Sequence, residues 1–234
     1  MSPISEKSAN DLANIGPLYH DFSFFGVNNE QLSDQFIKNQ KAKAPVITAY
    51  IAYARAKCET KADSPNPSFT ELFCADGYYT MVASRLGCSP CIGIDNDSQG
   101  YLNKAESIVE RLGLQDCRFV QSEINQESSF EQADIVANLG GLYHVTNPRE
   151  ILQNSFVQAR QFLIVQSVVS LAKDDDTYFE SPAPGWTWGS RFSRSFFHKM
   201  INDICPNIVD HHFNVLTGNQ RMEDRGSVYY LLKK

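Results

Sequence analysis

Through the middle of the chain, short apolar runs alternate with longer stretches whose apolar residues recur every three or four positions. Short runs rich in β-branched and aromatic residues read as strands, and the 3.6-residue rhythm reads as helix. This predicts strands at 69–73, 91–95, 117–121, 133–139 and 161–168, with helices at 78–87, 98–112 and 148–158. Strands alternating with helices imply a parallel sheet covered on both faces. About a dozen residues separate the third and fourth strands, barely enough for a helical crossover. The end of the chain reads differently. A helix at 192–204 precedes strands at 208–216 and 227–232, which flank a polar turn with Gly218 and Asn219. Such a hairpin supplies an antiparallel strand to an otherwise parallel sheet of seven strands.

Ahead of the sheet, Leu32, Phe36 and Ile37 recur at helical spacing. A second stripe of Val46, Ile47, Tyr50, Ile51, Tyr53 and Ala54 follows Pro45. Because proline interrupts a helix, two helices are expected here, followed by a polar, proline-bearing linker at 58–67. Residues 1–28 read as a loose arm. Its aromatic cluster of Tyr19, His20, Phe22, Phe24 and Phe25 either staples the arm down or forms a lid over a cleft. The expected division is thus 1–67, arm and helical cap, and 68–234, sheet domain.

Composition sets bounds. Of 234 residues, 42% are hydrophobic and 21% charged, ordinary values for a chain with a substantial core. A net charge of −6 and a pI near 5.4 argue against a dedicated nucleic-acid binder, which needs clustered Lys and Arg. No apolar run approaches the ~18–20 residues of a membrane span. The opening Met-Ser-Pro-Ile-Ser-Glu-Lys lacks the layout of a signal peptide, so a cytoplasmic protein is expected. The six cysteines then read as reduced thiols. Cys88-Ser-Pro-Cys91 is an isolated pair without two further zinc ligands at matching spacing, and no metal is expected.

The chemistry concentrates in one stretch. Phe69-Thr70-Glu71-Leu72-Phe73-Cys74-Ala75-Asp76-Gly77-Tyr78-Tyr79-Thr80 reads as strand, tight turn and helix, a joint that offers free N–H groups to a polar ligand. Asp95 closes the second strand, where a carboxylate can take both hydroxyls of a ribose. The long loop 172–190 holds Trp186 and Trp188 beside Arg191, an acceptor pocket for a planar or anionic molecule or simply packing on the sheet edge. Asp174, Asp175 and Asp176 are adjacent and diverge, so they read as solvated charge. His211 and His212 point to opposite faces of a strand and cannot share one site.

Glu-Leu-Phe-Cys-Ala-Asp-Gly-Tyr-Tyr (71–79) resembles the first motif of class I S-adenosylmethionine-dependent methyltransferases, Glu-x-Gly-x-Gly-x-Gly. Ile-Gly-Ile-Asp (92–95) resembles their second motif, and the run from Asp134 to His144 their fourth strand and the turn after it. The likeness covers roughly Thr70 to Leu171. It implies an α/β fold, a doubly wound seven-stranded mostly parallel sheet of the Rossmann-like methyltransferase type, with the antiparallel hairpin and N-terminal cap. It also implies S-adenosylmethionine as cofactor and methyl transfer to an O or N atom of a small-molecule acceptor. Glu71 would face the amino end of the methionine, with Phe73, Cys74, Ala75, Gly77 and Tyr79 in the adjoining loop. Asp95 would bind the ribose and Asn96 lie by the adenine. Ser122, Glu123 and Ile124 would contact the adenine, and Asn138, Leu139 and Gly140 would line the methionine and sulfonium. His144 is the candidate general base, and Tyr19, His20, Trp186, Trp188 and Arg191 the candidate acceptor contacts. Phe73 and Ala75 stand where the family has glycines, which would narrow the approach of ligand to backbone. Two rivals are a tRNA wobble-uridine-type modification enzyme, from the wording at 142–148, and a non-catalytic cofactor-binding module with a decayed loop.

Overall fold

A computed structural model describes residues 12–60, 62–125, 130–185 and 187–234. The strands are β1 (Phe69–Leu72), β2 (Cys91–Asp95), β3 (Cys117–Gln121), β4 (Ala133–Leu139), β5 (Ala159–Val169), β6 (Phe179–Glu180), β7 (Arg191–Phe192), β8 (Ile208–Val215) and β9 (Gly226–Lys233). Seven of them form one sheet in the order β3-β2-β1-β4-β5-β9-β8, and β6 and β7 form a separate two-stranded hairpin. The first five strands pair in parallel, whereas β9 runs antiparallel to both β5 and β8. The expected sheet and C-terminal hairpin are therefore present.

Period-two alternation sorts side chains to the two faces. Phe162 and Ile164 of β5 and Tyr229 and Leu231 of β9 join a core under the helices α1 (Asp34–Lys57), α2 (Tyr78–Arg85) and α3 (Leu102–Leu112). Leu163, Val165, Tyr230 and Leu232 join the opposite core, under α4 (Pro148–Gln158) and α5 (Arg194–Ile204).

Three expectations are corrected. The two N-terminal helices are one: α1 runs unbroken through Pro45. Proline removes one backbone bond and crowds one turn, but Ile47, Tyr50, Ile51 and Ala54 are all buried on the sheet, and that packing holds the axis. The helix expected from residue 98 begins at Leu102, because 96–101 form a turn with Asp97 and Gly100 in left-handed backbone. The loop 172–190 contributes β6, and the following helix begins at Arg194 rather than 192, because Arg191–Phe192 pairs with β6. Between β3 and β4 no helix forms among the described residues.

The arm is packed down rather than loose over its described part. Leu12, Leu18 and Phe22 are fully buried, and Phe22 and Phe25 meet the Tyr78 ring edge-on. His20 donates its backbone N–H to Asp76 (2.8 Å), and its Nδ1 lies 2.6 Å from the other carboxylate oxygen.

Candidate active site

The order of strands reverses between β1 and β4, and a crevice opens where chain leaves their carboxyl ends. A cleft of about 380 Å³ lies there, bounded by Glu71 and Phe73 after β1, Asp95 and Asn96 after β2, and Leu139 and Gly140 after β4.

Glu71 shares a face of β1 with Phe69 and so points toward α2. That helix begins after Gly77, which has no side chain to cap it. Glu71 supplies the cap from the neighbouring strand: its Oε2 accepts from the Thr80 backbone N–H at 2.7 Å and from the Thr80 hydroxyl at 2.6 Å. Burial raises the carboxyl to about 8, against the lowering effect of the two Thr80 bonds. The Tyr79 hydroxyl beside it is buried with no partner among the described residues.

Asp95 organises the loop opposite. One oxygen accepts from the Ala75 N–H at 3.1 Å and the other from the Asp97 N–H at 2.9 Å. Each oxygen keeps a second lone-pair direction, so the carboxylate can still accept from two hydroxyls. Phe73, Ala75 and Gly77 all have positive φ, 63°, 47° and 75°. Two of these three positions thus carry side chains in backbone that favours glycine, at a cost of about 1–2 kcal/mol per non-glycine residue. The Phe73 ring folds back over Gly141, where a Cβ would come within 1.9 Å of it. Gly141 leaves the space that the missing glycine at 73 does not.

Another part of the wall is built by the turn after β4 and the loop before β7. Gly189 passes so close to Tyr143 that a Cβ would lie 2.3 Å from its carbonyl oxygen. Ser190 N–H donates to that carbonyl, and the Ser190 hydroxyl to the Val145 carbonyl. This docking brings Thr187 to His144. The Thr187 hydroxyl donates to the His144 carbonyl at 3.1 Å, and its oxygen lies 3.0 Å from Nδ1. With its only proton given away, the hydroxyl accepts from Nδ1–H, which leaves Nε2 as the basic nitrogen. Burial, and then the nearby Lys43 charge, lower His144 to about 4, so the ring is neutral at physiological pH.

His144 and Thr187 also line a second cavity of about 190 Å³ that adjoins the first. Tyr19, Phe36, Asn39, Lys43 and Tyr143 line both.

Of the expected cofactor residues, Glu71, Phe73, Ala75, Tyr79, Asp95, Asn96, Glu123, Ile124, Leu139 and Gly140 come together around the cleft. Cys74, Gly77, Ser122 and Asn138 are not in its wall. Gly77 is covered by the Phe119 ring, and Cys74 is fully buried. Asn138 turns to the opposite face of β4 and donates to the Ser155 hydroxyl. Of the acceptor candidates, Tyr19 lines both cavities and His20 the first. Trp188 is corrected: it is 64% exposed and borders neither cavity. Trp186 lies outside the described residues. Arg191 borders the second cavity, but its guanidinium donates to the Pro184 carbonyl and lies 3.8 Å from both Glu180 and Asp224. The acidic triplet serves local structure: Asp174 accepts from Ser195 and Asp175 from Thr177. The six cysteines are free thiols, and no metal-binding cluster occurs among the described residues. Among those residues no helix is long and apolar enough to cross a membrane.

Sequence reasoning missed Phe36, Asn39, Gln40 and Lys43. Their spacing of three and four places them on one side of α1, but the sequence alone did not say which side of that helix faces the sheet's ligand-binding end.

This sheet order, with its antiparallel last strands and a cleft at the reversal point, is the Rossmann-like fold of class I S-adenosylmethionine-dependent methyltransferases. No protein-family model and no curated protein sequence matches the chain. Among solved structures, it is similar to the N-terminal domain of EvdMO1 with S-adenosylhomocysteine bound: TM-score 0.66, 15% identity, covering 94% of this chain and 92% of that one. Coclaurine N-methyltransferase bound to N-methylheliamine and S-adenosylhomocysteine follows at TM-score 0.59 and 13% identity, covering 80% and 72%. The [4+2]-cyclase SpnF matches at TM-score 0.62 and 13% identity, covering 82% and 81%.

Proposed function

We propose that this chain is an S-adenosylmethionine-dependent methyltransferase acting on an O or N atom of a small-molecule acceptor. The observation that carries the reading is the cleft at the strand reversal, with Glu71 and Asp95 in its wall and a second cavity joined to it at His144. Solved structures of the same fold carry S-adenosylhomocysteine, and one of them N-methylheliamine as well.

The residues fit such a cofactor. Glu71, desolvated and short of a counter-charge, suits the methionine ammonium, with the unpartnered Tyr79 hydroxyl beside it. Asp95 has the open lone pairs for the ribose hydroxyls; Asn96, Glu123 and Ile124 would hold the adenine end, and Leu139 and Gly140 would lie by the sulfonium. Bound there, the cofactor supplies an electrophilic methyl group on a sulfonium whose positive charge disperses during displacement.

The chain's own contribution is chiefly alignment, worth up to ~7–11 kcal/mol when the reacting atoms are held in line. His144 adds proton removal. Nε2 would accept the proton of an acceptor O–H or N–H presented to it, freeing the acceptor lone pair for the methyl group that the bound cofactor would supply. His144→Ala should then lower turnover by about 10²–10⁴-fold without loosening the cofactor; unchanged turnover would remove His144 from this role.

Titration calorimetry with S-adenosylhomocysteine tests the reading itself. Saturable binding that Asp95→Ala weakens is the expected result, and no heat at millimolar concentration would overturn it. Because a cyclase shares the fold, release of labelled methyl onto an acceptor separates transfer from cofactor binding alone.

A further inference from the structure

Lys43 stands at the neck between the two cavities and lines both. It lies on α1 one turn beyond Asn39, whose side-chain nitrogen donates to Asn219. Lys43 itself has no such partner. Among the described residues no carboxylate pairs with its ammonium, and burial alone pulls it down to about 8, with no acid opposing the fall. Lys43 is partly buried, and a charge withdrawn from water is ordinarily paired, a lone one being costly.

The other charges around the second cavity are accounted for differently. Arg191 is taken up by Glu180, Asp224 and the Pro184 carbonyl, and Asp224 is held by Arg221 as well. Glu223 also borders this cavity, but it is not among the groups that act on Lys43. Tyr19, Phe36, Asn39, Tyr143 and Thr187 line both cavities with it.

We propose that the methyl acceptor is a small organic acid whose carboxylate seats on Lys43 while its nucleophilic O or N faces His144. The inference rests on the methyltransferase reading and adds the substrate class to it. A carboxylate on Lys43 supplies the missing counter-charge at the neck. It also offsets the positive charge that weakens His144 as a base, so binding the acceptor prepares the group that deprotonates it.

The test uses the full chain saturated with S-adenosylhomocysteine, titrated with matched pairs such as 4-hydroxybenzoate and 4-hydroxybenzamide, anthranilate and anthranilamide, salicylate and salicylamide. Turnover on the same pairs is followed with S-adenosylmethionine. At least one acid should bind tenfold or more tightly than its amide. Lys43→Met should erase that preference and raise the acid's KM at least tenfold, Lys43→Arg should keep most of it, and both variants should bind S-adenosylhomocysteine like the wild type. Equal binding of acids and amides, no acid bound at millimolar concentration, or an undiminished preference in Lys43→Met would overturn the proposal. Wild-type protein that fails to bind S-adenosylhomocysteine would instead overturn the cofactor reading, and this proposal with it.

Discussion

Glu71 caps α2, and the ligand role proposed for it pulls against its burial. As the cap of α2 it needs only an acceptor oxygen, which a neutral carboxyl also provides. As the partner of a cationic ligand group it needs its charge, which burial opposes. The sign of the pH effect follows. In the unfolded chain this carboxyl ionises near 4.5, and in the folded protein near 8. The stability it contributes is complete below pH 4.5 and is lost as pH rises toward 8. At about 1.4 kcal/mol per pKa unit, the penalty reaches a few kcal/mol. Glu71→Gln keeps the cap and cannot ionise, so it should melt above the wild type at pH 8–9 and level with it at pH 4. Calorimetry should meanwhile find its S-adenosylhomocysteine affinity at least tenfold weaker. A ligand role for Glu71 is what the resemblance of 71–79 to the methyltransferase motif implies. Its capping bond was not legible in the sequence, because that depends on where α2 starts in space.

Helix α1 shows how packing overrides local preference. An interior proline costs a helix about 3 kcal/mol relative to alanine, and the sequence reading broke the helix there. The buried stripe after Pro45 outweighs that penalty, so the helix continues and carries Lys43 and Asn39 to the cleft. Pro45 itself is exposed. Pro45→Ala should therefore stabilise the protein by about 1–3 kcal/mol, seen as a higher urea midpoint at unchanged m-value. A lower midpoint would mean that the proline shapes a bend the fold requires. The β6–β7 hairpin was equally hidden: two residues per strand leave no periodicity to read, and Gly189 and Ser190 fix the loop through backbone contacts with 143–145.

At the scale of the molecule, the cleft is assembled from pieces far apart in the chain. The arm lends Tyr19 and His20, α1 lends Lys43, the strand ends lend Glu71 and Asp95, and the loop before β7 lends Thr187. In the proposed function the cofactor would bridge the strand ends and the acceptor would meet the arm, α1 and the loop before β7, so each ligand stabilises the pieces it touches. S-adenosylhomocysteine at 100 times its Kd should add about 2.7 kcal/mol. For a chain of this size that is a rise in Tm of roughly 5–10 °C, measurable by thermal denaturation. No shift at saturation would argue that the strand ends do not hold this ligand.

The seven strands of the main sheet, their order along the chain and the two carboxylates at their ends were determined by the sequence alone. Apolar periodicity is a local property, and burial on both faces of a parallel sheet writes it plainly. Which face of α1 meets the cleft, that Trp188 lies in solvent while Thr187 holds His144, and that Lys43 stands unpaired between two cavities were decided only by the tertiary structure. Those facts depend on crossing angles and loop contacts between residues up to 184 positions apart, as with Gln35 and Asn219. No local pattern records such distances, because the free energy that selects them belongs to the assembled contact and not to either segment.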